Sequence, residues 1–170
     1  VFLFLFAKCK KDEDDQAGQF YGYAKTTANG SWVNFNKARA WLFNSNTDSI
    51  SVIFERWDGL LRREVISFGP MTKVLNISQR IGKAIFGSST LTASYTTVRD
   101  DGDVLCDVYH IYEPDSLQNF ITITAFNPQT KEIRGTFQAT FLIDPVRTKC
   151  VPTAPDTIRF RNGEFYTKVF

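Results

Sequence analysis

The sequence predicts an all-β protein, an antiparallel sandwich or barrel of about ten strands with at most one short helix. Composition, alternation and turn chemistry predict it together. Phe accounts for 16 of the 170 residues and aromatic residues for 15% of the chain. Thr, Val and Ile are also frequent, and all of these residue types suit a pleated, half-buried surface. Short runs alternate apolar and polar positions with the two-residue period of a strand. Asn-Gly, Asp-Gly and Pro-containing turns separate them at hairpin spacing. The 170 residues fit one domain, at ~100–200 residues per domain, and a chain of that size buries roughly 70% of its unfolded surface.

Taken in order, residues 20–25 form an aromatic strand that runs into the hairpin turn Asn29-Gly30, and Ser31-Trp32-Val33 answers it. Residues 37–43 alternate Ala38, Ala40 and Leu42 against Lys37, Arg39 and Trp41. Over 49–57, Ile50, Val52 and Phe54 share one face, which leaves Trp57 on the polar side. Asp58-Gly59 turns the chain into a strand over 61–68, which Gly69-Pro70 ends. Val74, Ile77 and Ile81 are spaced as on a helix, so the one short helix falls within 74–83. Strands follow over 90–98, 104–113, 119–127 and 132–143. In the second of these Val104, Cys106, Val108, His110 and Tyr112 share one face, and Leu105, Asp107, Tyr109 and Ile111 the other. A Pro- and base-containing loop over 144–156 leads to a final hairpin, 157–161 and 164–170, turning at Asn162-Gly163.

Charge and composition exclude several function classes. Lys plus Arg number 20 and Asp plus Glu 18, a net charge of +2, so the chain lacks the basic footprint of a nucleic-acid binder. A 43% hydrophobic content excludes a disordered chain. The single His excludes a polyhistidine metal site, and no motif calls for a cofactor.

The N-terminus is organised differently. Residues 1–7 are a continuous apolar run, too short for the ~20 residues of a bilayer span but in keeping with the end of a signal-peptide apolar region. Cys9 follows, then Lys10-Lys11-Asp12-Glu13-Asp14-Asp15, a charged run that reads as a solvated tether over 9–19. Apolar run, Cys, Lys and acidic cluster together resemble the start of a Bacteroidetes surface lipoprotein. The final strands extend the resemblance: Ile133-Arg134-Gly135-Thr136-Phe137-Gln138-Ala139, then Asn162-Gly163-Glu164-Phe165, are similar to the ending of small Bacteroidetes lipoproteins of unknown function. In that family the residue before the lipidated Cys is small, whereas here it is Lys8.

The resemblance implies that residues 1–8 are the remnant of a lipoprotein signal peptide and that Cys9 is diacylated. It places the single β domain, 20–170, at the outer membrane or cell surface, with the periplasm as the alternative. Diacylation plus N-acylation exceeds the two hydrophobic anchors needed for stable attachment. The family brings no catalytic residues.

The candidate chemistry is sparse. Asp101 and Asp103, flanking Gly102, are a weak oxygen-ligand candidate for Ca²⁺, although an Asp-Gly turn needs no metal and the EF-hand pattern is not met. Cys106 and His110 stand ~13 Å apart along a strand at ~3.3 Å per residue, too far for a nucleophile pair. Asp107, Glu113, Glu132 and Glu55 supply the carboxylates that glycosidase chemistry requires, but nothing pairs two of them. Trp41, Trp57 and Tyr109 form a possible ligand platform of flat rings. With Cys9 consumed by lipid, Cys106 and Cys150 remain as an even pair in an oxidising compartment, and a disulfide is expected.

Two functions follow from these observations. The first is a non-enzymatic surface-anchored lipoprotein with a binding or assembly role, taking a protein or glycan partner. The second is a small carboxylate-dependent hydrolase on the same scaffold.

Overall fold

A computed structural model describes residues 20–43, 48–83, 91–99 and 102–170. The segments 1–8 and 9–19, with Cys9, lie outside the described residues. Eleven strands form one sheet: β1 (Gly22–Ala28), β2 (Ser31–Phe35), β3 (Lys37–Leu42), β4 (Ser49–Asp58), β5 (Leu61–Thr72), β6 (Ser78–Arg80), β7 (Thr92–Arg99), β8 (Val104–Ile111), β9 (Phe120–Phe126), β10 (Glu132–Ile143) and β11 (Thr157–Lys168). Their order is β2-β1-β11-β10-β8-β7-β5-β4-β3, with β9 beside β10 and β6 beside β9. The strand ladders are antiparallel throughout.

The two ends of this sheet meet. Only Asn36 separates β2 from β3, and the two continue one line. β1 pairs with β2, and the Tyr21 amide extends that ladder by donating to the Ala38 carbonyl of β3 at 2.6 Å. Beyond it, the Phe170 amide donates to the Ala40 carbonyl at 3.0 Å. β3 is hydrogen-bonded to β4 on its other side. The fold is therefore a closed barrel.

Two further lines are broken in the same way. β8 and β9 share the edge of β10, interrupted by the 3₁₀ segment Glu113–Gln118. β6 stands in line with β7: the Gln79 side chain bonds both the amide and the carbonyl of Thr72 on β5, while the β6 backbone pairs with β9. Counted by line, the barrel has eight staves in up-and-down order: β1, β2/β3, β4, β5, β6/β7, β8/β9, β10 and β11.

Eight staves enclose an interior just wide enough for side chains to fill. Phe35, Phe54, Phe68, Phe137, Phe141, Phe160 and Tyr109 are all at most 1% exposed there. Phe137 lies 5.3 Å from the Phe54 ring and 5.4 Å from Phe68, and Tyr95 lies 5.2 Å from Phe160. Such ring pairs add ~0.5–1.5 kcal/mol each to the burial of their area.

The structure corrects the sequence reading at four places. No helix occupies 74–83. Val74 and Ile77 are 43% and 55% exposed while Ile81 is buried in the core, so the three helically spaced residues do not share one buried face, and β6 forms instead. β5 continues through Gly69-Pro70 to Thr72; the proline is tolerated because β5 bulges there, Gly69-Pro70 standing opposite the single residue Ser51 of β4. Asn162-Gly163 makes a bulge inside one long β11 where a hairpin turn was expected, with register shifts in both flanking ladders. Gly135 suits, by sequence, a bulge or a close approach to Phe137; it does lie at a register shift, between β9 and β10, but it packs against the Phe165 ring, and it is Gly163 that packs against Phe137.

Candidate functional site

The interior is filled, and a concavity lies on the outer wall. By alternation Ile50, Val52 and Phe54 of β4 point inward, and Ser51 points out beside Trp41 of β3, its cross-strand partner. The same parity places Ser67 of β5, Ser94 of β7 and His110 of β8 outward, and these three are neighbours in one cross-strand row. Together they line a groove of about 580 Å³, with Phe43, Thr92 and Lys83 at its margin. Ser51, Ser67, Gly69 and Ser94 keep the floor low. Gly69 is required there, since at φ 155° a Cβ would collide with the Ser51 side chain.

The groove is polar at its floor and aromatic at one wall. The Ser67 and Ser94 hydroxyls are hydrogen-bonded to each other at 2.8 Å. The Thr92 hydroxyl donates to the Gly69 carbonyl at 3.1 Å. His110, 56% exposed, faces Asp144 across 3.5 Å. The Val146 amide donates to Asp144, and this bond, then the nearby imidazole of His110, holds the carboxyl below its usual range. No Asp or Glu is among the described residues lining the groove.

Trp41 opens onto an outer stripe of rings and cations. Arg39 lies over Trp41 at 5.5 Å and over Phe20 at 4.9 Å, and Lys37 over Trp57 at 3.5 Å. Phe20 meets Trp57 edge-on at 6.4 Å. The stripe also explains a buried carboxylate on the outer face. Glu55, 2% exposed, accepts from the Trp57 indole at 2.7 Å and faces Arg62 at 3.5 Å. A buried charge held by two such partners is structural.

Of the three platform candidates, Trp41 is a wall of the groove and Trp57 stands at the far end of the stripe. Tyr109 is not on the surface. It faces inward at 1% exposure, because a register shift between Thr96 and Val98 resets the inner face of β8. Its hydroxyl donates to the Pro155 carbonyl at 3.1 Å. Burial, then the charge of Asp107, pushes it up to about 12. Beside it burial and then the charge of Glu64 raise Tyr95, and an Arg56–Glu64 ion pair completes this polar end of the barrel.

The remaining candidates scatter. Cys106 and Cys150 form a disulfide, Cα atoms 5.3 Å apart, that fastens the loop after β10 across that barrel end. Asp107 is buried and accepts from the Cys150 amide at 2.8 Å. Glu113 and Glu132 lie away from the groove, on the 3₁₀ segment and on β10. Asp101 lies outside the described residues, and Asp103 is exposed in the turn before β8. Among the described residues no three His, Cys, Asp or Glu side chains come together as a metal site. The sequence presents His110 only as a rejected partner of Cys106, and Ser51, Ser67 and Ser94 carry no motif; outward parity is the signal that joins the four.

Comparison of the chain with family models, with curated proteins and with solved structures returned no match.

Proposed function

We propose that this protein is a non-enzymatic lipoprotein, anchored through Cys9 at the outer membrane or cell surface, whose barrel binds a saccharide in the outer groove. The observation that carries the binding role is the meeting of Trp41 with the hydroxyls of Ser51, Ser67 and Ser94 and with His110 in one groove. A flat ring packs on the apolar face of a sugar, while hydroxyls and an imidazole exchange hydrogen bonds with its rim. The aromatic filling of the barrel favours this wall over the interior as the place for a ligand. The hydrolase alternative needs two carboxylates flanking the bound sugar, and the described lining supplies none.

The binding role is tested on a glycan array followed by titration of the best ligand. Trp41→Ala should weaken binding at least tenfold, equivalent to about 1.4 kcal/mol. An array on which no saccharide binds, or an alanine variant that binds like the wild type, refutes it. Anchoring is tested separately by intact-mass analysis of protein extracted from membranes. The expected product begins at a diacylglyceryl-modified Cys9, and a soluble product that retains residues 1–8 overturns the anchor.

A further inference from the structure

The groove spans the staves from β3 to β8, and the opposite wall carries a different surface. In the closed order β1 and β11 stand half a turn from β5 and β6/β7. Tyr23, Tyr166 and Arg134 lie there in one outward row across β1, β11 and β10. Tyr21, just before β1, Lys25 of β1 and Lys168 of β11 share that face, because Ala24, Phe165 and Thr167 take the inward positions.

Among the described residues its cations lie along rings, and no ion pair holds them. Lys168 lies over Tyr21 at 4.2 Å, Arg134 over Tyr166 at 4.7 Å and Lys25 over Tyr23 at 4.9 Å. Lys37 and Arg39, stacked on Trp57 and Phe20, continue the pattern at the neighbouring β3 edge. These cations outnumber the carboxylates Glu132 and Glu164, which stand opposite Lys168 and Lys25 in register. Tyrosines interleaved with Lys and Arg are the composition of a membrane–water interface, where rings sit at headgroup level and cations meet lipid phosphates.

The chain enters the barrel beside this wall. Phe20 stands two residues before the start of β1, and Cys9 lies eleven residues before Phe20. Even fully extended, such a segment spans roughly 40 Å at ~3.6 Å per residue, so a bilayer holding Cys9 lies within roughly that distance of Phe20.

On these grounds, and resting on the reading of Cys9 as the lipid anchor, we infer that the outer face of β10, β11 and β1 is a docking surface for an anionic bilayer. Seated there, the barrel directs its groove away from the membrane. The lipid anchor and the basic face would then act as the two signals that make membrane attachment stable.

The test uses the full chain with Cys9→Ser, so that acylation contributes nothing. Co-sedimentation is measured with vesicles of phosphatidylcholine alone and of phosphatidylcholine mixed with phosphatidylglycerol. Binding is expected only to the anionic vesicles and should fall as salt is added, since each basic residue near the surface is worth roughly fivefold in affinity. The pair Lys25→Glu and Lys168→Glu should weaken binding at least tenfold, and Arg134→Gln less, with circular dichroism unchanged. Arg80→Glu, an exposed site on β6 half a turn away, should have no effect. Equal binding to neutral vesicles, no binding at all, an equal loss with Arg80→Glu, or self-association through this face would overturn the inference. If native protein proves unacylated while the Cys9→Ser chain still binds anionic vesicles, the anchor is refuted and the docking surface stands; the reverse pattern refutes the surface alone.

Discussion

Gly163→Ala is expected to lower the free energy of unfolding by about 1–3 kcal/mol, the usual cost of overpacking a filled core. A Cβ at this position falls 2.6 Å from two carbons of the Phe137 ring and 2.7 Å from a third. Neither group can yield easily. Gly163 is held in ladders to β10 and close to the register shift facing β1, and Phe137 is fully buried against Phe54 and Phe68. The ring must therefore move into neighbours already at contact distance. The cost should depend on the ring itself. Phe137→Leu opens a small cavity at a cost of its own, and in that background Gly163→Ala should be close to neutral. Denaturant unfolding of the wild type, both single variants and the double variant gives the coupling as a thermodynamic cycle. Additive losses would show that the close approach of Gly163 to Phe137 does not govern the site.

The same pair shows where sequence reading stops. Strands are legible because the two-residue period is local: Ile50, Val52 and Phe54 declare an inner face from their own spacing. What happens at Asn162-Gly163 is not local. Asn162 at φ 53° suits a hairpin turn and a bulge alike, and the choice is made by Phe137, on the neighbouring strand, which needs a position without a side chain above it. Barrel closure is hidden for the same reason, since it depends on Tyr21 reaching Ala38 and Phe170 reaching Ala40.

The candidate site divides along the same line. The outward parity of Trp41 is readable from β3 alone. The groove beside it is not, because serines on strands carry no motif and become a floor only when β4, β5 and β7 stand in register and Gly69 lets Ser51 approach. Tyr109 is hard to place because both faces of its strand carry apolar residues, and a bulge at Cys106-Asp107 of β8, opposite Thr97, decides which of them turns inward.

Removing the Cys106–Cys150 bridge should cost about 4 kcal/mol, the chain-entropy value for a closure of 44 residues. At roughly 2–4 °C per kcal/mol for a domain of this size, the melting temperature of Cys106→Ala with Cys150→Ala should fall by about 8–16 °C. The loss should begin at one end of the barrel. The loop between β10 and β11 is fastened there by the Asp107 carboxylate on the Cys150 amide, by the Tyr109 hydroxyl on Pro155 and by an ion pair from Lys149 to Asp156 at 2.6 Å. Without the bridge only non-covalent bonds order the loop, so proteolysis should cut first within its exposed stretch from Pro145 to Thr148, before the strands open. Reduction of the intact fold should nevertheless be slow. Cys150 is the more accessible sulfur, and attack on it expels the Cys106 thiolate, whose Sγ lies 3.8 Å from the Asp107 carboxylate. The Arg99 guanidinium, 3.2 Å from the Cys150 Sγ, stabilises a thiolate on the other sulfur, which only attack at buried Cys106 can release. A dithiol should therefore reduce the bridge at a rate that tracks unfolding and rises steeply with denaturant. Rapid reduction in native buffer, or a double-alanine variant that melts with the wild type, would show that the bridge neither guards this end of the barrel nor holds its loop.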